Sequence, residues 1–421
     1  MSPGDSDHKD DKLDGFLIGR LLSFREPLKR LRDEVGTLHL PYHSKRAATL
    51  VGDLIGVVSE EVGVTSQDIP DLRTPADKSR RSRSLHYSLE QFVNFVETIV
   101  LASKDVPVSF LQLVEMIEAE LPEGWRFGFL VRNYPELGTL DMNAYLSKLL
   151  EPFVNACRFL ENEHSCRVFL VPPSILTDPL NWPLISHEIA HVLELTQLHV
   201  VQKVHGPSPK SSDPQDAAMV KYRHSEEYQA DLIAAILFGP SFVMRVLSIY
   251  FSQEIRLSTS HPAWEQRLKA LLEVGLPRLR DGDVYKNLIG DSLKGISLEG
   301  GIVTHDVVNL PTVLDKTFEV IKDRLNQFDC QSLGLKAARE RLGRFLPYTE
   351  DYKVLLNAAV LNESEAMSAY ASSKLGPPER AAREYRYLVA DCVRLCYVNM
   401  HYDRRIAIDG AAQEAQDELD G

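Results

Sequence analysis

The sequence predicts an α+β chain, predominantly helical, with one small β-sheet. Apolar residues recur at helical spacing through most of its length. Only two short runs, 126–131 (RFGFLV) and Cys166–Val171 (CRVFLV), read as strands. At 421 residues the chain exceeds one typical core. It divides into a disordered tail (1–13), an N-terminal helical region (14–122), a central core (123–280) and a C-terminal helical region (281–421).

Residues 1–13 are charged and poor in apolar side chains, which predicts disorder. Residues 14–66 read as two helices, marked by Phe16, Leu17, Leu21 and Leu22, then Leu50, Val51, Leu54 and Ile55. A Pro- and charge-rich stretch, 67–83, reads as a linker, and its basic run Lys78 to Arg83 (KSRRSR) as solvated. Two helices are expected over about 87–104 and 108–120, ended by Pro122-Glu123-Gly124. Between the two strands, 141–162 reads as one long amphipathic helix. Pro172-Pro173 stops the second strand.

The next helix carries HEIAH, from His187 to His191. Trp182-Pro183 precedes it, and proline is tolerated at a first helical position. Asn181 or Asp178 is placed to cap its start. Ile185, Ile189, Val192 and Leu193 form its core-facing stripe. His187 and His191 are four apart, so both rings leave one face. Two such imidazoles with a neighbouring carboxylate, Glu188, form the H-E-x-x-H pattern of a zinc site. Glu188 is the expected general base toward a water that the metal acidifies. The pattern arises by chance at roughly a few per cent in a chain of this kind, so its context matters.

That context is a second helix, expected over 222–238 (YRHSEEYQADLIAAILF). Glu227 and Asp231 share a face at i, i+4, and Ala230 and Ala234 leave room for another helix to approach. Glu227 fits a third zinc ligand. Asp231 fits the acceptor that holds the far N–H of a ligand histidine, His187. The loop 199–220 between these helices is irregular about 206–216, and reads either as a lid or as a surface insertion. His199, His205 and His224 are expected to be solvent-exposed. Leu232 to Phe251 reads as two buried helices broken at Gly239-Pro240 rather than as a membrane span.

Residues 282–309 are mixed, with a short hairpin expected about 296–303. Helices then resume over about 312–328, 333–344, 350–360, 363–373 and 379–401. The acidic tail, 409–421, is expected to fray.

HExxH followed by ExxxD resembles the gluzincin metallopeptidases. The form EYQAD is similar to that of the CAAX-prenyl-protease and heat-shock-peptidase family. Ser258-Thr259-Ser260-His261-Pro262 and then Arg267-Leu268 resemble that family's third motif. The resemblance covers roughly residues 165–275. It implies a zincin-like catalytic core, hydrolysis of peptide bonds, and zinc (Zn2+) held by His187, His191 and Glu227. It also implies that His261 stabilises the oxyanion and that Arg267 supports the site from behind. In such peptidases a small sheet lies above the metal helix, and an edge strand there can pair with an extended peptide. One of the two predicted strands is the candidate. The chain departs from the family's membrane-bound members in having no convincing span.

Composition narrows the partners. A formal net charge of −13 argues against nonspecific nucleic-acid binding. Five scattered cysteines form no disulfide framework, and Cys392 and Cys396 read as buried thiols. The first residues lack the apolar stretch of a signal peptide. The expectation is a cytoplasmic zinc metallopeptidase acting on proteins or peptides, regulated by its helical flanks, with no nucleic-acid or membrane partner. The alternative is a latent or non-catalytic sensor with a zinc site.

Overall fold

The computed structural model describes residues 4–121, 123–163, 165–210, 213, 215–252, 261–279, 281–292, 315 and 332–420. It is 75% helical with one three-stranded sheet, so the predicted fold class holds at this level. Contacts divide the chain into two units. The first takes 1–119 and 126–172, the second 120–125 and 173–421. This division falls inside the expected central core, and both predicted strands go with the N-terminal helices.

The first unit opens with α1 (Gly4–Leu22), which runs through the segment expected to be disordered. α2 (Arg25–Gly36) and α3 (Tyr42–Gln67) follow, so 14–66 holds parts of three helices rather than two. α2 buries Leu28, Leu31 and Val35, one apolar stripe. α4 (Pro75–Phe95) begins inside the expected linker. Thr74 accepts the N–H of Asp77 at 3.1 Å, and Pro75 occupies the first turn. KSRRSR is therefore helix: Lys78 is buried, with Nζ 2.8 Å from Asp14 Oδ2. α5 spans Val108–Glu120.

β1 (Gly128–Asn133) and β3 (Cys166–Val171) lie where strands are predicted. β2 (Gly138–Asp141) is an addition, too short to show alternation. The order is β1-β3-β2, with β3 parallel to β1 and antiparallel to β2. β3 is thus central, and cannot be the peptide-binding edge; β1 and β2 are the edges. Gly128 pairs with Cys166, and a Cβ at Gly128 would lie 2.7 Å from Cys166 Sγ. Leu130 and Val168 join one apolar cluster with Leu54, Ile55 and Phe92, which explains why the sheet belongs to this unit.

The expected helix 141–162 is two helices, α6 (Met142–Leu149) and α7 (Val154–Asn162), broken ahead of Val154 where Pro152 falls. Glu61 of α3 caps α7 from a distance. It accepts the N–H groups of Asn155 and Ala156, each at 3.0 Å.

The second unit begins with α8 (Pro173–Leu176) and a 3-10 segment, Pro179–Leu184, capped by Asp178. α9 (Ile185–Leu193) carries HEIAH and buries Ile185, Ile189, Val192 and Leu193. It runs into a π turn, Glu194–Leu198, and the short α10 (Val200–His205). α11 (Ala217–Phe238) is capped by Asp216 and ends at Gly239, where φ is 62°. α12 (Pro240–Ser252) completes the pair of helices expected from the sequence. α13 (Trp264–Ala270) and α14 (Gly282–Ser292) follow.

α15 (Leu335–Leu342), α16 (Tyr352–Ser373) and α17 (Pro378–Asp420) close the chain. The two helices expected over 350–373 are one. α17 continues through the segment expected to fray. The side-chain amide of Asn357 in α16 accepts the N–H of Ser241 at 2.7 Å, fixing the start of α12. Arg245 of α12 pairs with Glu363 of α16, which also pairs with Arg386 of α17. The hairpin expected about 296–303 and the body of the helix expected over 312–328 lie outside the described residues. Among the described residues, no helix is long and apolar enough to cross a membrane.

Candidate metal centre

α9 and α11 pack together because each offers a close surface, Ala190 on one and Ala230 and Ala234 on the other, all fully buried. This brings HEIAH against EYQAD. His187 Nε2 and His191 Nε2 are 3.1 Å apart. Glu227 Oε2 is 3.3 Å from His187 Nε2, and Glu227 Oε1 is 3.4 Å from His191 Nε2. Zinc bonds of 2.0–2.1 Å at tetrahedral angles put neighbouring ligand atoms about 3.3 Å apart. The separations among these three side chains are of that size, with the two histidines facing different oxygens of Glu227. Their ligand atoms form a group that could hold a metal ion, all within 4.8 Å of one another.

The surroundings fix each ligand. His187 Nδ1 is 3.0 Å from Asp231 Oδ1. A proton on Nδ1 then leaves the Nε2 lone pair facing the centre. Asp231 is held in turn by Arg267, through Nε at 2.7 Å and Nη2 at 2.6 Å. The Arg267 guanidinium lies 4.2 Å from the ring centroid of Trp264, and its Nη1 is 3.3 Å from Glu227 Oε2. Phe242 of α12 stacks parallel to His187, with centroids 6.5 Å apart.

One atom is left over. Glu227 Oε2 is buried without a hydrogen bond. Its close neighbours are an imidazole nitrogen and a guanidinium, both at 3.3 Å. An unsatisfied buried carboxylate oxygen is costly, and a cation between it and the two imidazoles would satisfy it. The residues present therefore fit a metal with a two-histidine, one-carboxylate ligand set.

The electrostatics agree. Burial works against charge on His187, but the carboxylates of Asp231 and Glu227 beside it outweigh that and hold its pKa up at about 9. Without a metal, a proton thus takes the cation's place. Burial pushes Glu227 up, yet His187 and His191 hold it well below the usual carboxylate range. Asp231 also titrates low, because the Arg267 charge and hydrogen bond override its burial. Burial raises the neighbouring Glu226 to about 7, and the charges of Glu194 and Glu227 add to that.

Of the residues singled out from sequence, His187, His191, Glu227, Asp231 and Arg267 meet directly. Glu188 is buried beside them, and its charge adds to those of Asp231 and Glu227 in raising the pKa of Arg267. His261 Nε2 is 3.5 Å from Glu227 Oε1, with the side chain 54% exposed. It does not cap α13; Ala263 takes that position without a side-chain cap. Ser258, Thr259 and Ser260 lie outside the described residues. The three other histidines divide. His199 is exposed, and His205 Nε2 is 3.1 Å from Ser225 Oγ. His224 is buried rather than exposed, because α11 starts earlier than its pattern indicates and places it in the packed part of the helix. Trp264 and Phe242 were not anticipated; the aromatic three residues before Arg267 is the one sequence signal for the first.

No family model, characterised protein or solved structure matches this chain.

Proposed function

We propose that the chain is a zinc-dependent metallopeptidase with a zincin-like core. The observation that carries this reading is the convergence of His187 Nε2, His191 Nε2 and the two Glu227 oxygens, with separations of 3.1, 3.3 and 3.4 Å that are close to the spacing of ligand atoms around zinc. Zinc bound there would supply Lewis acidity, lowering the pKa of a water and polarising a carbonyl. Glu188 accepts the proton of the attacking water and returns it to the leaving amine. Asp231 keeps the His187 proton on Nδ1, and Arg267 keeps Asp231 ionised. His261 stands on the more exposed side of the group and donates to the carbonyl oxygen as it gains charge. The substrate is a protein or peptide, and the helical flanks control access to it.

A second reading has support of its own. The His187 and Glu227 side chains are only 10% and 9% exposed, as suits a latent or sensing metal site. Glu188 favours the enzyme, because a purely structural zinc has no use for it.

Two measurements test the reading. Elemental analysis should find one zinc per chain, lost in His187→Ala and in His191→Ala. Glu188→Gln should keep its zinc while losing cleavage of cellular proteins that the wild type cuts. Equal cleavage by both proteins would refute the peptidase mechanism; zinc retained in full by both histidine variants would refute the site.

A further inference from the structure

We propose that Gln229 and Glu194 are a positioning pair that fixes the rotation of α11, and with it the place of Glu227 at the metal. This inference rests on the metal-centre reading above. Gln229 lies between the two acids of EYQAD but leaves α11 about 160° away from Glu227, on the far flank. There it is fully buried, and its Nε2 donates to Glu194 Oε2 at 2.5 Å. Glu194 is the C-cap of α9, three residues after His191. Its other oxygen accepts the N–H of Val201 at 2.8 Å, and its backbone carbonyl accepts from His199 at 2.9 Å.

The carboxylate of Glu194 is thus tied to the histidine helix, to the start of α10 and to α11 at once. α11 is gripped on two flanks. On one, Glu227 and Asp231 meet the histidines. On the other, Gln229 is tied to the end of the same histidine helix. A rotation of α11 that withdrew Glu227 would have to break the second grip as well. The Gln229 Oε1 atom is buried without a hydrogen bond, so this side chain is not simply the best filler for its space. A leucine would fill it without that loss.

The test uses the full chain and does not need turnover. Zinc affinity is measured by competition with a chromophoric chelator. Ligand geometry is read from the visible absorption of the cobalt-substituted protein, and folding from circular dichroism. Gln229→Leu should remain folded, bind zinc about 10–100-fold more weakly, and show an altered cobalt spectrum. The reciprocal exchange Glu194→Gln with Gln229→Glu restores the hydrogen bond with donor and acceptor swapped. It should return affinity and spectrum to near the wild-type values. If Gln229→Leu does not fold, Gln229→Asn, one methylene too short to reach Glu194, takes its place with the same expectation. A folded variant with wild-type zinc affinity and cobalt spectrum overturns the positioning role and leaves the metal centre standing. A wild-type protein that takes up no zinc overturns both.

Discussion

Glu226 and Glu227 are neighbours in the chain but point about 100° apart on α11, and Glu227 is the one that meets both histidines. Glu227→Ala should therefore lower zinc affinity by orders of magnitude, while Glu226→Ala leaves it within a few-fold; chelator competition on the two variants measures this, and the reverse order would mean the helix phase is wrong. His187 makes a second prediction at this scale. In the metal-free protein its pKa is raised from 6.5 to about 9, so the protonated ring stabilises the fold. That contribution is complete below about pH 6.5 and is lost as pH rises through about 9. The melting temperature of metal-free protein should fall across this window. Zinc must displace the same proton, so zinc affinity should rise across it. His187, His191, Glu227 and Asp231 were legible because i, i+4 spacing is local and fixes which side chains share a face; Arg267 and His261 came only from the resemblance. The burial of His224 is not legible in the same way, because exposure depends on where a helix starts and what covers it.

Elements were legible where their signals were local and strong. β3 matches its run, Cys166–Val171, and Gly239-Pro240 separates α11 from α12 as expected. The linker reading of 67–83 failed because the basic run outweighed a start signal that was present, Thr74-Pro75 followed by Asp77. Lys78 shows the physics: its stem is buried and its charge is paired with Asp14, a partner 64 residues away that spacing cannot reveal. β2 was not legible, since four residues carry too little alternation. Gly128 offers an element-scale test. Gly128→Ala places a methyl 2.7 Å from Cys166 Sγ across the β1–β3 pair, and should destabilise the protein by about 1–3 kcal/mol. Adding Cys166→Ala removes the clash and should recover much of the loss. Chemical denaturation of the single and double variants checks this; equal stability of Gly128→Ala and wild type would contradict the close approach.

Across the molecule, the predominantly helical class with a small sheet follows from periodicity, but the grouping of its elements does not. Leu130 and Val168 find their neighbours among Leu54, Ile55 and Phe92, contacts between residues far apart in sequence. The sheet therefore joins the first unit, while His187, His191 and Glu227 assemble in the second. The proposed function stands on these three residues holding one metal ion. Anomalous diffraction at the zinc edge, on crystals grown with stoichiometric zinc, tests it most directly. One peak is expected, about 2.0–2.1 Å from His187 Nε2, His191 Nε2 and an oxygen of Glu227. No peak at that position, or a peak held by other residues, would contradict it.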